Sequence, residues 1–296
     1  MLKKNQFDIL ECLINNQAKK ITQRELSNLT SYSLGTVNTI LKELIDLDLV
    51  SSDVITDKGY EVMEKYHVKR AVIIAAGFGS RLVPITLNTP KPLVRVKGKR
   101  IIDSCLDALK DSEINEVYIV RGYLGEQFDQ LLYSYPNIKF IENVMYNEAN
   151  NISSIVCSKD LLENSYVIEA DLLLYNKLLI KKYQYYTNYL GIPVKRTDDW
   201  CFYVKNQIIN KMSIGGENCF KMVGISYWNK EDGNLLGKCV QKVFDAPGGK
   251  ERYWDQVPLE YYLNDFKIRI RECCSDDVVE IDTFNELKEL DKSYSV

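Results

Sequence analysis

Residues 71–93 read AVIIAAGFGSRLVPITLNTPKPL, and the fold turns on this stretch. The apolar run over 71–75 ends abruptly at glycine, which predicts a buried strand followed by a loop. Gly77 and Gly79 carry no side chains, so backbone N–H groups there stay open to close approach by an anion. Arg81 and Lys91 add positive charge, and a guanidinium matches phosphate oxygens two at a time. Pro84, Pro90 and Pro92 stiffen the loop. Two common phosphate motifs do not fit. The dinucleotide fingerprint needs a glycine where Leu82 stands, and the P-loop needs Gly-Lys-Ser/Thr, which is absent from the stretch.

Outward from this loop, from Lys69 on, strands and helices alternate. Helices are predicted over 101–110, 124–133 and 151–162, and strands over 116–121, 138–142 and 166–170. This alternation implies an α/β fold with a mostly parallel, doubly wound sheet. Ligands of such sheets sit beyond the carboxyl ends of the strands. The Gly77 loop, Gly122-Tyr123 and Asp171 all fall at such ends. After about residue 190 the pattern predicts shorter strands, with aromatic residues dense among them.

Residues 1–66 read as a separate small module. Apolar spacing predicts helices over 5–16, 22–29 and 33–47, the second opened by a Thr22/Glu25 capping box. A hairpin over 50–56 and a helix over 57–65 complete a winged helix-turn-helix pattern. Thr36, Asn38 and Lys42 lie where a recognition helix would face a groove. Yet nine cations face ten acids through Lys69. DNA-binding faces gain most of their non-specific affinity from phosphate contacts. Dimerisation or partner recognition is therefore the favoured role of the module, with DNA binding behind it. The expected division is 1–66 and 69–296.

Composition narrows the function classes. Of the 296 residues, 46% are hydrophobic and the formal net charge is −3, which excludes disorder and an overall basic field. Neither a spanning helix nor a signal-peptide apolar core is expected. Eight cysteines without Cys-x-x-Cys spacing suit reduced thiols and a cytoplasmic protein. His67 is the only histidine, so Ser-His-Asp chemistry and histidine zinc sites are disfavoured against carboxylate chemistry with a hard metal.

Two acidic patterns, Glu169-Ala170-Asp171 and Glu280-Ile281-Asp282, sit in or just after β-like runs. Residues two apart on a strand share a face, so each pair can aim two carboxylates at one place. The loop positions Gly77, Gly79, Arg81, Pro84, Thr86, Pro90, Lys91 and Pro92 follow in order the signature of nucleotidyltransferases that activate phosphorylated metabolites. From Lys69 to about Leu290 the chain resembles bacterial choline-phosphate cytidylyltransferases. The likeness includes Gly122-Tyr123, Asn150-Asn151, Trp200, residues 224–228, Tyr253-Trp254-Asp255 and both acidic patterns. In that family the first pattern is typically Asp-Ala-Asp, and Glu169 takes its first place here.

The resemblance implies transfer of a cytidylyl group from CTP to phosphocholine, with Mg2+ as cofactor. Lys91 and Arg81 would be catalytic, and Ala76, Gly77, Gly79, Arg81, Gly122, Tyr123 and Asn151 would hold the nucleotide. Asp171, Asp282 and Glu280 would hold the metal. Trp200, Trp228, Trp254 and Tyr253 offer aromatic faces to a quaternary ammonium, which such faces hold by cation–π attraction. Lys195 and Arg196 are candidates for the acceptor phosphate. The alternatives are another acceptor, such as an aminoalkyl phosphonate, phosphoethanolamine or a sugar 1-phosphate, or a DNA-binding regulator whose transferase-like half senses a nucleotide. A homo-oligomer formed through the N-terminal module is the expected assembly, and no membrane partner is expected.

Overall fold

The computed structural model describes residues 1–17 and 21–295. Its contacts divide the chain into two units: Met1–His67 with Tyr183–Tyr185, and Val68–Lys182 with the chain from Tyr186 onward.

The first unit is a winged helix-turn-helix. Its helices are α1 (Lys4–Asn15), α2 (Gln23–Thr30) and α3 (Leu34–Asp46). The Thr22/Glu25 capping box opens α2, and the Ser33 hydroxyl caps α3. The wing is a minimal hairpin of β1 (Val50–Ser51) and β2 (Val54–Ile55), followed by α4 (Asp57–Met63). Thr36, Asn38 and Lys42 are exposed on α3. The core gathers Phe7, Leu10, Leu26, Ile40 and Leu44, and Tyr183 is buried with them. The Tyr185 ring stacks on Tyr66 at 5.3 Å, and its hydroxyl donates to the Leu2 carbonyl at 2.6 Å.

The second unit is built around β3 (Arg70–Ala75), the strand predicted ahead of the glycine loop. It is followed by a small hairpin, β4 (Arg95–Val96) and β5 (Lys99–Arg100), then α5 (Ile101–Asp111), β6 (Glu116–Arg121), β7 (Ile138–Glu142), α6 (Ile152–Cys157) and β8 (Ser165–Glu169). Next come β9 (Leu172–Leu174), β10 (Asn188–Lys205), β11 (Ile208–Trp228), α7 (Lys230–Asp245), β12 (Arg269–Glu272), β13 (Val278–Glu280) and α8 (Phe284–Leu290). The main sheet runs β10-β12-β11-β8-β3-β6-β7, with β8, β3, β6 and β7 parallel and β11 antiparallel to β8. Alternate residues of β3 enter different cores: Ala71, Ile73 and Ala75 pack with α5, while Val72 and Ile74 join residues of α6 and α7. Burial on both faces is what makes a parallel strand read as an unbroken apolar run.

Three sequence expectations change here. Residues 125–133 form 3-10 turns rather than an α-helix. The helix expected over 151–162 stops at Cys157, where the Ser158 hydroxyl donates to the carbonyls of Ser154 and Ile155; a 3-10 turn follows. Such side-chain bonds compete with the helix ladder. The short strands expected after residue 190 are instead one long ribbon, β10 of 18 residues and β11 of 21. Glycines in the ribbon mark close approaches: a Cβ on Gly191 would meet Ile270 of β12 at 2.8 Å, and one on Gly216 would meet the Tyr203 hydroxyl at 2.7 Å.

Candidate active site

The carboxyl ends of β3 and β8 open onto a cavity of about 660 Å3 in the second unit. Ala76, Gly77, Gly79, Arg81 and Lys91 form one wall. Gly79 adopts φ +68°, and a Cβ there would lie 3.1 Å from Lys91 Cβ. Glycine is therefore needed twice over, for its backbone and for its lack of bulk. The buried Thr86 hydroxyl donates to the Gly79 carbonyl at 2.9 Å and fixes the turn. Gly122 and Tyr123 brace this loop. The Tyr123 N–H donates to the Ala76 carbonyl at 3.0 Å, and its ring meets Phe78 edge-on at 4.6 Å. A Cβ on Gly122 would sit 2.7 Å from Tyr146, whose ring lines the cavity.

The two acidic patterns meet although more than a hundred residues separate them. β13 pairs antiparallel with β9, setting Glu280 opposite Leu172, and the Ile281 N–H donates to the Asp171 carbonyl at 3.1 Å. Carboxylate oxygens of Glu169, Asp171 and Glu280 come within 4.8 Å of one another. The expected metal set was Asp171, Asp282 and Glu280; the structure brings Glu169 into the group and gives Asp282 cationic partners. Lys91 Nζ lies 2.7 Å from Asp171 Oδ2 and 3.0 Å from Asp282 Oδ1, and Arg81 Nη2 lies 2.9 Å from the same Asp282 oxygen.

Burial, reinforced by Asp255, Asp171 and Glu280, pushes the Glu169 carboxyl well above its ordinary range. Burial, with Asp171 and Asp282 nearby, pushes Glu280 up to about 8. Burial alone pulls an ammonium down, but the Asp171 and Asp282 carboxylates outweigh it and raise Lys91. Asp171 Oδ1 is buried with no hydrogen-bond partner. Crowded carboxylates and an orphaned buried oxygen are a donor set suited to a hard divalent cation.

Trp200 and Tyr253 also line the cavity, with ring centroids 5.8 Å apart, edge to face. Asp199 and Asp255 line it too. The buried Asp255 carboxylate accepts from the Tyr189 hydroxyl, and burial raises it to about 7. Asn151 lines the cavity too, its side-chain oxygen accepting from the Trp254 N–H at 2.9 Å.

Trp228 and Trp254, expected at the substrate, are core residues instead. They are 0% and 1% exposed, and the Trp228 indole donates to the Ser226 hydroxyl at 2.9 Å. Arg196 is largely exposed, 3.9 Å from Asp198, and stands outside the cavity wall. Sequence reasoning missed Lys221, which pairs with Asp199 at 3.0 Å and is raised by Asp199, Glu280 and Asp282 although burial opposes it. Only the register of β11 against β10, which sets Lys221 opposite Cys201 beside Trp200, would have revealed it.

Comparison with known proteins agrees with this geometry. A nucleotidyl transferase family model matches residues 70–189, and a winged helix-turn-helix DNA-binding model matches residues 2–51. The chain is 32% identical to the 2-aminoethylphosphonate cytidylyltransferase of Lancefieldella rimae, over 76% of this chain and 92% of that protein. It is 31% identical to the choline-phosphate cytidylyltransferase of Haemophilus influenzae, over 73% and 93%. The solved CTP:phosphocholine cytidylyltransferase of Streptococcus pneumoniae superposes with a TM-score of 0.70 at 28% identity, covering 76% of this chain and 98% of that one. The chain belongs to the nucleotidyl transferase family, alongside these cytidylyltransferases, and carries a winged helix-turn-helix domain ahead of the transferase fold.

Proposed function

We propose that the protein transfers a cytidylyl group from CTP to phosphocholine, releasing pyrophosphate. The observation that carries this reading is a single cavity lined by two unlike sets of groups. One set is the glycine loop, Lys91, Arg81 and the crowded carboxylates, and the other is Trp200 and Tyr253 with Asp199 and Asp255. The first suits a triphosphate and the second a trimethylammonium, which cannot donate N–H hydrogen bonds and is held by aromatic faces and charge.

The glycine-loop N–H groups and Arg81 hold the triphosphate. Asn151 and Tyr146 flank the space left for the nucleoside. Lys91 bridges the attacking phosphate and the α-phosphate. Lys221, paired with the cavity-lining Asp199, joins Lys195 and Arg196 as a candidate for the acceptor phosphate. Asp171, Asp282 and Glu280, joined by Glu169, would hold Mg2+. When bound, that ion neutralises charge on the triphosphate. A phosphomonoester, with its second pKa near ~6, attacks as a dianion at neutral pH, so no protein base is needed. The residues then act by positioning and charge stabilisation. The free thiols of all eight cysteines suit the cytoplasm as the enzyme's compartment.

A second reading, 2-aminoethylphosphonate as acceptor, draws on the Lancefieldella rimae relative. Asp199 and Asp255 would then accept from the ammonium. Pyrophosphate release with CTP, UTP and a panel of acceptors separates the two. Phosphocholine should give the highest kcat/KM; a clear preference for the aminoalkyl phosphonate would replace the first reading by the second.

A further inference from the structure

One carboxylate oxygen pairs with both cations that the glycine loop offers to phosphate, and Lys91 is held by Asp171 Oδ2 at 2.7 Å as well. Asp282 Oδ1 lies 2.9 Å from Arg81 Nη2 and 3.0 Å from Lys91 Nζ. The backbone of Asp282 is anchored apart from the ion pairs. Its N–H is held by Glu286 Oε2 at 2.8 Å, and Thr283 caps α8 next door, with Glu286 completing the capping box. The carboxylate therefore reaches the loop from a backbone held at a helix end. A polyphosphate entering the loop meets cations already paired, and exchanging a carboxylate for a phosphate partner returns little net energy. The exchange becomes favourable when Asp282 acquires a different cation in the same event.

We infer that Asp282 is a counter-ion latch, keeping Arg81, and together with Asp171 also Lys91, from polyphosphate until a divalent cation replaces them on its carboxylate, so that nucleotide and cation enter together. This rests on the reading of the cavity as a nucleotidyl-transfer site and adds a role that a plain metal ligand does not have. The two roles separate when metal is removed. A residue that only holds metal leaves metal-free binding unchanged when neutralised, whereas a latch makes that binding tighter.

The test is calorimetric titration of the full-length protein in EDTA, with inorganic pyrophosphate and with CTP. Asp282→Asn should bind both about tenfold more tightly than the parent, the scale of one charge-assisted hydrogen bond regained. Asp282→Ala should repeat the gain, since it keeps the N–H that Glu286 holds. Glu280→Gln, compared at about pH 9 where the parent's Glu280 has released its proton, removes equal charge from the same cavity without freeing a loop cation, and should change affinity less than threefold. Adding Arg81→Ala to Asp282→Asn should take back most of the gain. An Asp282→Asn protein no tighter than Glu280→Gln, or a gain that survives loss of Arg81, overturns the latch. If pyrophosphate shows the pattern and CTP does not bind, the latch stands and the cytidylyl reading falls. If neither ligand binds the parent protein with Mg2+ present, the reading of the cavity falls and takes the latch with it.

Discussion

Lys91 is the charge on which the cavity depends most. Its side chain is only 12% exposed, and it stands between two carboxylates. Removing it leaves both acids facing each other and takes a donor from the reacting phosphates. Lys91→Ala and Arg81→Ala should each lower turnover by at least ~10²-fold with the fold intact, the usual cost of one well-placed charge-stabilising donor. Near-normal pyrophosphate release by either variant would remove these residues from the mechanism. Among the aromatic lining residues, Trp200→Ala and Tyr253→Ala should erode the preference for phosphocholine over phosphoethanolamine more than they weaken CTP binding. Unchanged kcat/KM ratios would end the aromatic argument. The signature loop was legible residue by residue because glycine, cation and proline each leave a distinct mark in sequence. The tryptophans were not. β11 is buried on both faces near its end, so spacing alone could not tell the cavity-facing Trp200 from the enclosed Trp228.

The acidic patterns show what was and was not legible at the scale of elements. Each was visible as two carboxylates near a strand end, but their meeting depends on the pairing of β9 with β13, a contact between distant segments that local periodicity does not encode. The ribbon was misread for a similar reason, since its glycines answer to neighbours across the sheet. Gly224 on β11 makes this testable. A Cβ there would lie 2.5 Å from Glu169 Oε2 and 2.7 Å from Glu169 Cβ, so the glycine lets the Glu169 side chain lie flat against the strand. Gly224→Ala should displace Glu169, lower stability by about 1–3 kcal/mol as overpacking does, and raise the Mg2+ concentration needed for half-maximal turnover. A Mg2+ requirement matching the parent's would show that Glu169 is not part of the cation's surroundings.

At the scale of the molecule the acid cluster couples stability to pH. Glu280 is raised from its ordinary 4.5 to about 8 by burial and by neighbouring Asp171 and Asp282. In that interval the folded chain holds a proton that the unfolded chain has released. Stability from this group is therefore full below 4.5 and lost as pH rises towards 8. A cation held by these carboxylates favours the deprotonated form. Mg2+ should accordingly raise Tm more at pH 8 than at pH 5.5, as thermal melts with and without EDTA would show; equal shifts at both values would contradict the cluster as a cation site. The winged-helix fold was legible from its caps and apolar spacing, yet the exposed Lys42 shares α3 with Glu43, which takes Lys3 at 3.2 Å and Gln6 at 2.7 Å. No tight DNA binding is expected of the full chain at physiological salt, and a nanomolar, salt-sensitive shift in fluorescence anisotropy with a defined duplex would revive the regulator reading.

The tyrosines at 183 and 185 give the protein a definite order of manufacture. A ribosome delivers the helices and wing of the first unit early, but the residues that finish its core arrive more than a hundred positions later. At roughly 5–20 residues per second the interval is on the order of ten seconds. During it β3, β6 and β8 have already emerged, so the transferase strands are available while the unit encoded first is still short of its closing side chains. The first unit to be translated is thus finished only after several strands of the second have been made.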